Sequence, residues 1–206
     1  ALLGALLSQA DRVSWLSALH LGLSLIIQAL FIAATVAAMH RQSAGASGAA
    51  FAYRHPFARH SVVVLVLSFA LMVSGTLVAG MDASGACQSW PLCNGLALPA
   101  TAGDWINLVH RLVVLGTGLS LAALFRQAWR TQRGNTPVLV STTAAAVLFF
   151  SQALLGARMS QDAPVYLLGL HTATAAGFWA AMVIQLAAVD LGPGNAVFGG
   201  IFVCCA

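Results

Sequence analysis

The chain has 206 residues, 60% of them hydrophobic and only 7% charged, against roughly 25% charged in a soluble domain, so water is not its main solvent. Its formal charge of +4 comes from nine Arg and five Asp, with neither Lys nor Glu. The Arg residues are dispersed between apolar runs rather than gathered into one patch, which argues against nucleic-acid binding and suits membrane topology.

The first residues, 1–7, read as the tail of an earlier helix, because Ala1 opens inside an apolar run. No charged segment or cleavage site marks them as a signal peptide. Five stretches then reach the ~20 residues needed to span a bilayer: Ser14–Met39, Ser61–Gly80, Trp105–Phe125, Val138–Ala157 and Val165–Val189. They lack the polar–apolar alternation of barrel strands. Helices are therefore expected, since lipid offers the backbone no hydrogen-bond partner. The closing run, 196–206, is about half a span and ends on Cys204-Cys205-Ala206; the two Cys are assigned no role. Both ends look cut from a longer chain.

The connectors alternate in charge. Residues 40–60 carry Arg41, Arg54 and Arg59 with His40, His55 and His60, and 126–137 carry Arg126, Arg130 and Arg133. These mark a cytoplasmic side, and the three His read as solvated surface residues. The opposite connectors hold Asp11, Asp82, Asp104 and Asp162 with Arg12, Arg111 and Arg158. Cys87 and Cys93 then face an oxidising compartment, where a disulfide closing a short loop is the simplest reading. A redox role for the pair is the alternative.

An internal repeat runs through the chain. Leu2-Leu3-Gly4-Ala5 followed by Ser8-Gln9 recurs as Leu154-Leu155-Gly156-Ala157 followed by Ser160-Gln161, and His20 and His171 trail the two copies. This suggests a duplication. The expected fold is an all-α integral membrane protein, a transmembrane four-helix bundle with an additional helix from a duplicated first half. Residues 1–40 would end the first half, 41–60 form a cytoplasmic linker, 61–190 form the second half, and 191–206 a tail or the start of another helix.

His20, His110 and His171 lie inside apolar spans at the same depth. An ionisable group there faces a partner or a cavity. Imidazoles on facing helices can supply both axial ligands of a heme, whereas no nearby Cys or carboxylate set suggests structural zinc. Arg111 beside His110 can snorkel to the interface or pair with a heme propionate, and Arg158 is a weaker candidate for the same work. Gln28, Gln152 and Gln185 suit interhelical hydrogen bonds. Gly116-Thr117-Gly118 suits close helix packing rather than a nucleotide loop.

The segment Trp90-Pro91-Leu92-Cys93-Asn94-Gly95, with Cys87 upstream and the pair His110-Arg111 on the next helix, resembles the heme A synthase family. The resemblance covers roughly residues 1–190. It implies two pseudo-symmetric four-helix halves and oxidation of the heme O methyl group to the formyl of heme A for terminal oxidase assembly. It implies heme b as cofactor, with His110 and His171 as axial ligands and Arg111 alongside. His20 becomes one ligand of a heme O substrate site whose partner lies outside this chain. Heme O synthase and an electron acceptor are the implied partners besides lipid, and a bacterial plasma membrane is the implied location. The family's catalytic half carries a Glu three residues before its His-Arg pair. Here that position is Asn107, so no catalytic residue is assigned, and the chain as given is expected to hold heme without making heme A. A bis-His membrane cytochrome for electron transfer is the alternative. A disulfide-handling quinone oxidoreductase leaves the three His unexplained, and no broken helix pair supports a transporter.

Overall fold

A computed structural model describes residues 14–44, 55–81, 98–159 and 165–189, together with Ala83, Ala86, Cys87 and Cys93. The first repeat copy, Ser160-Gln161, Asp82, Asp162, Trp90-Pro91-Leu92, Asn94-Gly95 and the closing run 196–206 lie outside the described residues, as do the side chains of His40 and Arg41.

Five helices are described: α1 (Ser14–Ala44), α2 (Pro56–Gly80), α3 (Ala102–Thr131), α4 (Thr136–Met159) and α5 (Val165–Val189). Each is long and apolar enough to cross a membrane. The chain is a multi-pass, all-α membrane protein.

Helices α2 and α3 start before the apolar windows read from sequence, because local capping rather than hydropathy decides where they begin. Before α2, the side chain of His55 accepts a hydrogen bond from the Phe57 amide at 3.2 Å, with Pro56 in the first turn. Proline suits that place, since its missing N–H would have no helical partner. Before α3, Thr101 and Asp104 form a capping box: the Asp104 amide donates to Thr101 Oγ1 at 3.2 Å, and the Thr101 amide donates to the Asp104 carboxylate at 3.0 Å. Two orphan donors of the first turn are thereby satisfied. The segment 41–60, read as a linker, is accordingly helical at both ends.

Helices α2, α3, α4 and α5 pack in sequence as a ring that closes between α5 and α2, and α1 lies outside it against α2 and α5. Helix α1 is fastened by Trp179, whose indole N–H donates to the Leu25 carbonyl at 3.1 Å. Gly22 permits the close approach: a Cβ there would stand 3.3 Å from the Phe69 ring. Gly118 does the same between α3 and α4, where a Cβ would stand 3.0 Å from the Phe149 ring, while Gly116 meets nothing. Glutamines stitch the ring as expected of polar groups in lipid. Gln185 donates to Ser61 Oγ at 2.9 Å, joining α5 to α2, and Gln152 joins α4 to α5.

Packing is uneven along the ring. The apolar core is made by Phe57 and Val64, Leu121 and Leu124, Val138 and Phe149, and Phe178 and Met182. These lie toward the start of α2 and α4 and the end of α3 and α5, the end that also carries exposed Arg59, Arg126, Arg130 and Arg133. Outward faces are apolar, with Val66, Leu119, Phe150 and Leu154 exposed, as lipid contact requires. Exposed Trp105 and Tyr166 at one end and Trp129 at the other occupy the places of interfacial aromatic belts.

One reading of the surface changes. His60 is half-buried, and its Nδ1 lies 3.0 Å from Gln127 Oε1 on α3. It is an interhelical polar contact rather than a solvated residue, while His55 is exposed and works as the cap of α2.

Candidate functional site

The end of the ring opposite the apolar core is where the chemistry-bearing residues gather. Because the helices alternate in direction, the last turns of α2 and α4 meet the first turns of α3 and α5 there. No residue of α2 from Leu71 to Gly80, of α4 from Phe150 to Arg158, or of α5 from Tyr166 to Gly177 is buried. In α3 from Ala102 to Gly116 only Asp104 and Asn107 are. Polar contacts, rather than the apolar core, join the helices at this end.

His110 on α3 and His171 on α5 stand at that end. The two helices occupy a diagonal of the ring, with α2 and α4 between them. Each ring is backed by a glycine on the preceding helix. A Cβ on Gly75 would stand 3.2 Å from His110 Cε1, and one on Gly156 would stand 3.6 Å from His171 Cε1. The ring of His110 is also held by Ser74, whose Oγ lies 2.9 Å from Nδ1. The backbone of His171 is tied to α4, its carbonyl accepting from Gln152 Nε2 at 2.5 Å, and the same amide donates to Thr174 Oγ1. His171 Nδ1 is buried and, among the described residues, has no hydrogen-bond partner.

Beside His110, three polar residues on one face of α3 receive the loop from α2. Asp104, Asn107 and Arg111 are spaced three and four apart, so they stack along that face. Asn107 is buried, donating to the Ala83 carbonyl at 2.7 Å and accepting from Arg111 Nε at 2.8 Å. Arg111 Nη2 also reaches the Cys87 carbonyl at 3.4 Å. Cys87 and Cys93 form a disulfide, and both are buried. Their sulfurs lie 3.8 and 3.7 Å from the Asp104 carbonyl oxygen. Donor atoms of Cys87, Cys93 and Asp104 fall within 4.8 Å of one another, but the S–S bond leaves no thiolate to bind a metal.

His20 belongs elsewhere. Helix α1 packs through buried Ala18, Gly22, Leu25 and Val36. At ~100° of rotation per residue, His20 falls on roughly the opposite side of α1, level with exposed Ser24, Ile27 and Phe31.

The residues expected from sequence thus divide in two. His110 and His171 come to one interior and Arg111 lies beside them, while His20 turns away. Ser74, Gly75 and the buried role of Asp104 were not anticipated. The capping pattern Thr101-x-x-Asp104 was available as a signal for the last. For Ser74-Gly75, the only signal was a small polar pair in an apolar run.

The chain is similar in sequence to known proteins. A heme A synthase of Staphylococcus saprophyticus is 27% identical over 158 residues, 76% of this chain and 52% of its own length. One of Geobacillus kaustophilus is 28% identical over 157 residues, 76% of this chain and 49% of its own length. A protoheme IX farnesyltransferase of Halobacterium salinarum is 32% identical over 122 residues, 58% of this chain but 27% of its own length. The chain therefore spans about half the length of these heme A synthases and about a quarter of the farnesyltransferase. Residues 2–104 match the COX15-CtaA family, described as cytochrome oxidase assembly protein. Family match, helical membrane fold and relatives agree: the chain belongs to the COX15-CtaA family of cytochrome oxidase assembly proteins.

Proposed function

We propose that this chain is the heme b-holding portion of a heme A synthase, with His110 and His171 as the axial ligands. The observation that carries the reading is the pair of imidazoles on diagonal helices, each backed by a glycine, at the end of the ring opposite the apolar core. Both glycines clear room for a ring beside a planar group, which is what a bis-His heme needs. Bound between two imidazoles, a heme exchanges single electrons and has no open coordination position. The chain's own residues would hold and orient it, with Arg111 near enough to the His110 turn to meet a propionate.

Asn107 supports a holding role rather than a chemical one. Both ends of its amide are committed to Ala83 and Arg111, and an amide cannot move protons as a carboxylate does. Conversion of the heme O methyl group would then fall to a second site, to which His20, on the outward side of α1, would contribute one ligand. That enzyme would draw heme O from a heme O synthase and pass electrons to an acceptor. The similarity of part of this chain to a protoheme IX farnesyltransferase favours work alongside such an enzyme. The membrane would be a bacterial plasma membrane, with the Arg-bearing end cytoplasmic by the positive-inside rule and the disulfide loop outside. Asn107 equally suits a bis-His cytochrome that only carries electrons; heme O conversion by the longer protein separates the two.

The first test is heme content of protein purified from heme-replete cells. His110→Ala and His171→Ala should each lose most of the bound heme or its six-coordinate spectrum, and His20→Ala should keep both. Full heme content with an unchanged spectrum in both of the first two variants sinks the proposal.

A further inference from the structure

We infer that Ser74 is a positioning residue that fixes the tautomer of His110 and makes the two proposed axial ligands unequal; this rests on the bis-His reading above. The argument starts from one hydrogen. The Ser74 hydroxyl donates to the Leu71 carbonyl of its own helix at 2.9 Å. A hydroxyl has a single proton, so toward His110 it offers only lone pairs. Both contacts are hydrogen bonds at once only if Nδ1–H donates to Ser74 Oγ across the 2.9 Å between them. A neutral imidazole protonated on Nδ1 keeps its lone pair on Nε2, the nitrogen then free to bind iron. Gly75, with no Cβ to fill the 3.2 Å beside Cε1, lets the ring sit against α2 in that orientation.

His171 has a glycine in the same place, Gly156, but the residue before it is Leu155, where α2 has Ser74. Its Nδ1 is buried and, among the described residues, has no hydrogen-bond partner. An acceptor on the far nitrogen raises the basicity of an imidazole ligand and holds its plane. His110 is thus the stronger, fixed ligand and His171 the weaker one. Stronger donation favours ferric over ferrous iron.

The experiment is a redox titration of the heme-loaded protein in detergent, with heme content read on the same samples. Ser74→Ala should retain a six-coordinate spectrum and raise the ferrous-to-ferric ratio at fixed potential by about three- to tenfold, tenfold being 59 mV for one electron. Ser74→Thr, which keeps the hydroxyl, should stay with the parent. Leu155→Ser, which puts a hydroxyl before Gly156 as Ser74 stands before Gly75, should shift the ratio the other way, and it reads the same quantity if Ser74→Ala does not accumulate. Parent-like potentials in Ser74→Ala, or in Leu155→Ser where only that variant is obtained, overturn the inference and leave the bis-His reading intact. Loss of that reading would appear separately, as unchanged heme in His110→Ala and His171→Ala.

Discussion

The two glycines that back the imidazoles differ in tolerance. At Gly75 an added Cβ comes within 3.2 Å of His110 Cε1, whereas at Gly156 the gap to His171 Cε1 is 3.6 Å. The first distance forces a ring to move that Ser74 holds in place; the second is ordinary van der Waals contact. Gly75→Ala should therefore lower heme content or alter its spectrum, and Gly156→Ala should change either little, by absorbance of purified protein. Equal effects would show that the His110 cradle is not the tighter one. The histidines were legible in the sequence because an ionisable group in an apolar run is conspicuous. Their supports were not, since serine and glycine are ordinary in membrane helices and only the fold brings Ser74 against His110, 36 positions away, with Gly75 beside it.

At the scale of the helix, α1 depends on one polar contact as well as on apolar packing. Trp179 fills the seam with Leu25 and Val183 and donates to the Leu25 carbonyl. Trp179→Phe keeps most of the ring area and removes the bond. The expected loss is about 1 kcal/mol, read as a lower midpoint of thermal unfolding in detergent, with heme content little changed. All five spans were legible from hydropathy, and Val165–Val189 was read with its ends in place. Helices α2 and α3 start earlier than read because caps set their starts: His55 with Pro56 for α2, and Thr101 with Asp104 for α3. His60 was misread for a related reason. Its neighbours in sequence are polar, but the helix it belongs to turns it toward Gln127 of α3.

For the molecule as a whole, the disulfide loop and the ring are separable supports. The loop rests on α3 through Asn107 and Arg111, while the apolar core sits at the opposite end. Joining Cys87 to Cys93 stabilises by about 2 kcal/mol on the loop-entropy estimate for so short a loop. Replacing both with Ser should lower thermal stability by about that amount and leave heme ligation in place. Loss of heme from the double variant would give the pair a role beyond that of a staple. Ring closure between α5 and α2 was not legible in sequence, because the contacts that close it, such as Gln185 with Ser61, join residues 124 positions apart.

The uneven packing of the ring bears on how such a protein is made. The apolar core that joins the helices lies at the Arg-bearing end, and the proposed ligand pair, with the polar contacts around it, lies at the other. On that reading insertion and loading would be separate steps, because a flat ligand held by His110 and His171 would enter without any core contact having to break.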